Sequence, residues 1–314
     1  VSERQMLRML ALASAAALAL AGPASAKELK AIGVTVGSLG NPYFVALAKG
    51  AEAKAKEIDP KIRVTVASAE YDLFKQFTQI DNFIALGVDL ILINAADPRA
   101  VLAAVKRARA AGIVVVGVDV AANGADATVQ TDNTQAGEIS CAYLAQKIGG
   151  KGNVIIENGP QVSAVIDRVK GCKAVLAKSP EIKILSDDQD GKGSREGGLA
   201  SMQGYITRFS DIAGVFTIND PQAIGSDLAA KQLGRKNIVI TSVDGAPDIE
   251  NALKANTQIY ASASQNPYAI ASKAVDLGIA IMNGKPPENP VVLIPSQLVT
   301  RDNVGEYKGW NAPR

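Results

Sequence analysis

The 314-residue chain contains no histidine. Without an imidazole there is no Ser-His-Asp or Cys-His catalytic arrangement. The usual zinc sites go too, as does the commonest general base near neutral pH. Aromatic residues are scarce, at 4% with a single Trp. Cysteine is limited to Cys141 and Cys172, so there is no Cys-x-x-Cys motif. Neither sign of charge dominates: 33 Lys and Arg face 31 Asp and Glu, for a formal net charge of +2. No basic run stands out, which withholds the electrostatic support that nucleic-acid or acidic-membrane binding needs. Beyond residue 26 no apolar run is long enough to predict a transmembrane helix. Nucleotide motifs fail as well. Gly149-Gly150-Lys151-Gly152 and Gly284-Lys285-Pro286 lack the spacing and the Ser/Thr of a phosphate loop. Gly191-Lys192-Gly193 starts like a dinucleotide fingerprint, but its next glycine, Gly197, falls one residue late. No EF-hand loop or nucleophile elbow occurs, and neither a metal nor a cofactor is expected.

The first 26 residues carry a compartment signal. Arg4 and Arg8 form a short positive region, Met9 to Ala21 is an almost unbroken Leu/Ala run, and Pro23 breaks it before Ala24-Ser25-Ala26. This is the pattern of a secretory signal peptide cleaved after Ala26. The run falls short of the roughly 20 residues that span a bilayer. The competing reading is a buried N-terminal helix. Removing Glu3, Arg4 and Arg8 leaves 31 basic against 30 acidic side chains, so the exported chain from Lys27 is nearly neutral.

The rest alternates strands and helices. Strands are expected at Ala31–Val36, Ile62–Ala67, Asp89–Ile93 and Ile113–Val118, with helices at Pro42–Ile58, Phe74–Leu86 and Pro98–Ala111 between them. Leu90-Ile91-Leu92-Ile93 and Val114-Val115-Val116 are continuous apolar runs, as parallel strands buried on both faces require. The pattern restarts after Asp132 and repeats through Ala263, before a long helix from Pro267 to Met282 and a Pro-rich segment to Pro295. Two such arrays predict an α/β protein of two doubly wound parallel-sheet lobes. At 47% hydrophobic residues, the chain can build both cores.

In open parallel sheets, ligands bind beyond the carboxyl ends of the strands. Those ends carry Asn41-Pro42-Tyr43-Phe44, Asn94 with Asp97-Pro98, and Val118-Asp119 in the first array. In the second they carry Ile218-Asn219-Asp220, Val243-Asp244-Gly245 and Ser264-Gln265-Asn266-Pro267, with Arg168 on a helix. Taken singly, an Asn or Asp there is a turn residue. As a set on facing lobes they make a polar cleft with two adjacent aromatics, the chemistry a sugar or polyol needs.

In order and spacing these motifs resemble the ribose- and galactose-type periplasmic sugar-binding proteins of ABC importers, whose fold also occurs in effector domains of lac-repressor-type regulators. The resemblance implies three hinge crossings, near Thr131–Asn133, near Gln265 and between about Leu293 and Gln297. It implies a first lobe of 27–131 plus 266–293 and a second of 132–265 plus 294–314. It implies ligand bonds from Asn41, Asn94 and Asp119 in the first lobe, with Tyr43 and Phe44 walling the ring. From the second lobe it implies bonds from Arg168, Asn219 and Asp244, and from Gln265 at a crossing. Two positions depart from the ribose pattern: Val120 stands where a second Arg follows the Asp, and Gly191 where an aromatic closes the second lobe. Tyr71 or Gln189 are the residues placed to compensate.

The expected protein is a monomeric solute-binding protein of the periplasm, not an enzyme. It takes a monosaccharide, pentose or hexose, to an ABC permease in the inner membrane, and a chemoreceptor is a further partner of such proteins. Binding of a polyol, an inositol or a small furanose signal is the alternative in the same fold. An exported carbohydrate-processing enzyme is the alternative of another class. In an oxidising compartment Cys141 and Cys172, expected on helices flanking the strand near Asn153 to Glu157, either pair or remain two buried thiols.

Overall fold

The computed structural model describes residues 28–310. The signal-peptide reading therefore lies outside the described residues. Strands β1 (Ala31–Val36), β2 (Arg63–Ser68), β3 (Leu90–Ile93), β4 (Val114–Val118), β5 (Ala127–Thr131) and β11 (Val291–Ile294) form one six-stranded sheet, in the order β11-β5-β4-β3-β1-β2. Every pairing in it is parallel. The second sheet holds β6 (Gly152–Glu157), β7 (Ile182–Ser186), β8 (Gly214–Thr217), β9 (Val239–Asp244), β10 (Ile259–Ser264) and β12 (Gln297–Thr300), in the order β12-β10-β9-β8-β6-β7. Only its β10–β12 pair is antiparallel. The two orders correspond strand for strand.

Helices α1 (Pro42–Ile58), α2 (Leu73–Ala85), α3 (Leu102–Ala110) and α9 (Pro267–Met282) flank the first sheet. Helices α4 (Asn133–Lys147), α5 (Ser163–Leu176), α6 (Arg195–Arg208), α7 (Asp220–Gln232) and α8 (Pro247–Lys254) belong with the second. Strand-end residues start many of them. Asn41, Asp72, Asp132, Ser194, Asn219 and Asn266 each accept a backbone N–H of the following turn, as N-caps do. The central strands β1 and β3 are buried at every position, which accounts for the unbroken apolar run of β3 and for a β1 whose one polar side chain, Thr35, is itself hydrogen-bonded.

Several elements depart from the sequence pattern. Strands β5, β11 and β12 were not expected as strands. Helix α3 begins at Leu102 rather than Pro98, because Asp97 holds the amides of Arg99 and Ala100 in a turn. The C-terminal segment expected to complete the second lobe sends Trp310 into an apolar cluster with Tyr43, Phe44 and Ile270.

The chain passes between the sheets after β5, after β10 and between β11 and β12. Cys141 on α4 and Cys172 on α5 form a disulfide with Cα atoms 5.1 Å apart. The two helices cross closely: a Cβ at Gly137 would lie 2.0 Å from the Arg168 carbonyl oxygen, so only glycine fits there.

Candidate functional site

The strand ends of both sheets converge on one small cavity, as expected for a ligand site at the carboxyl edge of parallel sheets. Asn41, Tyr43, Phe44, Asn94 and Asp119 line it from the first lobe, and Arg168, Asn219, Asp244 and Gln265 from the other side. All nine residues singled out in the sequence thus face one space. Tyr71 joins them, whereas Gln189 lies outside, exposed and bonded to Asp188. The lobes touch beside the cavity, where the Ala121 amide donates to Ser163 Oγ at 2.8 Å.

Two buried carboxylates face each other across Arg168. Asp119 follows β4 at φ 67° and Asp244 ends β9 at φ 139°. Both conformations are costly for a side chain with a Cβ, and such strain clusters at functional sites. Asn94 Nδ2 donates to Asp119 Oδ2 at 2.8 Å, and Gln265 Nε2 to Asp244 Oδ1 at 2.7 Å. Thr131 Oγ1 donates in turn to Gln265 Oε1 at 2.6 Å, tying this pair to a chain crossing. Arg168 is held by bonds from Nε to Asn133 Oδ1 and from a terminal nitrogen to the Ile218 carbonyl, both at 2.8 Å. That same nitrogen stands 3.7 Å from Asp244 Oδ1.

Burial pushes the Asp119 carboxyl up, and the Arg168 charge opposes this. Burial and the nearby Asp220 push Asp244 well up, again against Arg168. Asp220 is itself raised to about 6 by burial, although the Ser242 and Ser262 hydroxyls and the Ala246 amide donate to it.

Three cavity-lining polar atoms are buried without a partner: Tyr43 Oη, Asn94 Oδ1 and Asp244 Oδ2. Buried polar groups are nearly always satisfied, so three such atoms around one cavity make it a candidate site for a polar molecule. Asn41 and Asn219 are partly committed elsewhere. Their amide oxygens cap α1 and α7, and Asn219 Nδ2 donates to the Gly193 carbonyl.

The periplasmic binding protein domain family matches residues 32–286. The chain belongs to this family. As a periplasmic binding protein it is 32% identical over 257 residues to the ribose import binding protein of Bacillus subtilis (strain 168), covering 81% of this chain and 82% of that one. It is 33% identical over 286 residues to the xylitol-binding protein of Mycolicibacterium smegmatis, covering 90% and 80%. A solved ABC transporter periplasmic solute-binding protein from Actinobacillus succinogenes 130z, with bound D-allose, superposes with a TM-score of 0.80 at 27% identity, covering 88% and 100%.

Both departures from the ribose pattern have a structural counterpart in this periplasmic binding protein. Val120 is fully buried in the apolar core and does not line the cavity. At Gly191 an added Cβ would meet Gln222 Nε2 at 2.5 Å, so Gln222 occupies the room an aromatic there would use. The second lobe instead offers an aliphatic wall of Pro160, Val162, Val165 and Ile218, opposite the first lobe's Tyr43, Phe44 and Tyr71. Sequence reasoning missed Val162 and Val165. Their signal was position: Val165 precedes Arg168 by three residues on α5 and so shares its face. Nothing in the sequence marked Ser163.

Proposed function

We propose that the protein captures a neutral monosaccharide, a pentose or hexose, between its two lobes in the periplasm and delivers it to an ABC permease in the inner membrane. The observation that carries this reading is the set of unpartnered Tyr43, Asn94 and Asp244 atoms around a cavity lined from both lobes. Asp119 and Asp244 accept hydroxyl hydrogens, Arg168 donates to ring or hydroxyl oxygens, and Asn41, Asn94, Asn219 and Gln265 complete the polar ring. Tyr43, Phe44 and Tyr71 cover the C–H face of the sugar. Two carboxylates against one guanidinium disfavour sugar phosphates and sugar acids, whose charge would add to the buried negative pair. The relatives named for ribose and xylitol and the neighbour holding D-allose support the same class.

In this reading the lobes, 27–131 plus 266–293 and 132–265 plus 294–314, turn about three crossings near residues 131–133, 265 and 293–297. A ligand bonded by both lobes favours the closed form by its differential affinity. Micromolar affinity needs about 8 kcal/mol, within reach of several buried charge-assisted hydrogen bonds and an aromatic face. Nothing in this cycle makes or breaks a covalent bond. Binding of an open-chain or cyclic polyol is the second reading, and the aliphatic second-lobe wall favours it, since one stacking face is missing. Thermal shift of the chain from residue 27 against pentoses, hexoses, polyols and inositols tests both, with the bound compound recovered and identified. Stabilisation by one stereochemical series with unchanged recovery is the expected result; a flat panel or a converted compound refutes the reading.

A further inference from the structure

After β12 the chain runs back over the joint between the lobes. Val304 packs into the second lobe's core, and Tyr307 Oη donates to the Gly245 carbonyl at 3.0 Å, next to Asp244. Three residues on, Trp310 is 5% exposed and sits in the cluster that holds Tyr43 and Phe44. Its ring meets Tyr43 edge-on, with centroids 5.8 Å apart and planes at 68°. Its Nε1 donates to the Gln265 carbonyl at 3.0 Å. Tyr43 in turn meets Phe44 at 5.4 Å, and Phe44 meets Tyr71 at 6.3 Å. One indole therefore touches the rear of the cavity's aromatic wall and the backbone of the crossing whose side chain holds Asp244. A tail that only sealed the second lobe would need neither contact.

We infer that Trp310 is a positioning residue: it straps the C-terminal segment across the joint and fixes Tyr43 and Gln265 in the geometry that binds ligand. The inference rests on the reading of this cavity as a sugar or polyol site. Edge-on aromatic contact restrains the tilt of the Tyr43 ring. The bond from Nε1 fixes the Gln265 peptide plane, and with it the reach of Gln265 Nε2 to Asp244.

The chain has one Trp, so its intrinsic tryptophan emission reports this position alone. The test uses residues 27–314 as wild type, Trp310→Phe and Trp310→Ala. Emission and acrylamide quenching are read with and without D-ribose, D-allose, xylitol and myo-inositol, and affinities are taken by calorimetry. The expected wild-type emission is blue-shifted, shielded from quencher, and altered by whichever compound binds. Trp310→Ala should bind that compound about tenfold more weakly, and Trp310→Phe, which keeps a ring but loses the donor, about threefold more weakly. This graded rescue, with little change in ligand-free melting, separates positioning from a general loss of fold. If Trp310→Ala fails to fold, the Phe variant and the wild-type emission decide. A freely quenched tryptophan, or variants that bind as tightly as wild type, overturns the inference. If no compound binds the wild type, the site reading fails and the effect on affinity with it, while shielded emission still upholds the docked strap.

Discussion

Glu157 closes β6 with no exposure to solvent and outside the cavity. Gln222 Nε2 donates to it at 2.9 Å and Ser226 Oγ at 2.7 Å, and no charged neighbour offsets its burial. Burial therefore pushes its carboxyl up from 4.5 to about 8, against those two hydrogen bonds. The unfolded chain releases this proton near the ordinary value, whereas the folded chain holds it to about 8. Between those limits the folded state binds more protons, so this group's contribution to stability falls as pH rises. At about 1.4 kcal/mol per pH unit, the loss reaches the order of 4–5 kcal/mol by pH 8 and is near zero below pH 4.5. Glu157→Gln keeps the shape and removes the titration. Its amide oxygen accepts from Gln222, its NH2 donates to Ser226 Oγ, and that hydroxyl turns to the Gly198 carbonyl it already approaches at 3.4 Å. Calorimetric melts of both proteins at a series of pH values from about 5 to 8 should nearly coincide at the acid end. The variant should then gain progressively, by on the order of 10 °C at pH 8, at roughly 2–4 °C per kcal/mol. A difference that stays constant with pH, or grows toward acid, would refute the reasoning.

Other outcomes follow from the same geometry. Asp244→Asn should raise ligand-free stability, because it removes a buried charge beside Asp220, yet weaken sugar binding about a hundredfold. Paired melting and titration curves check both signs. Ser163→Ala removes the hydroxyl that accepts from the Ala121 amide across the cleft; it should weaken binding roughly three- to tenfold with little change in the ligand-free melt, and equal weakening of both would place its role in folding instead. Cys141→Ser with Cys172→Ser opens a loop between residues 31 apart and should cost about 2–4 kcal/mol in denaturant unfolding. Two free thiols in the unreduced wild-type protein would contradict the bridge.

What the sequence made legible follows from burial. Strand β3 is buried throughout, so its Leu90-Ile91-Leu92-Ile93 run has no polar interruption. Strand β11 is an edge with Val291 and Leu293 exposed, and although its Val291-Val292-Leu293-Ile294 run is as apolar as β3, Pro290 and Pro295 on either side hide it in a Pro-rich segment. Strand β5 is covered by α9, which arrives more than a hundred residues later, and no local pattern announces that. The cavity residues were legible because topology sends every parallel strand's carboxyl end to one edge of its sheet. Their individual duties were not. Asn41 and Asn219 have capping to perform, Asn133 proves to orient Arg168, and the indole of Trp310 lies some forty residues beyond the crossing it meets.

The most direct test of the account is a crystal structure of residues 27–314 with the sugar or polyol that gives the largest thermal shift. The account predicts one molecule between the lobes, its hydroxyls within hydrogen-bond distance of Asn94 Oδ1, Asp244 Oδ2 and the Arg168 guanidinium, and its C–H face against Tyr43, Phe44 or Tyr71. A ligand seated elsewhere, or a cavity whose three unpartnered atoms stay unsatisfied when the ligand is bound, would contradict it.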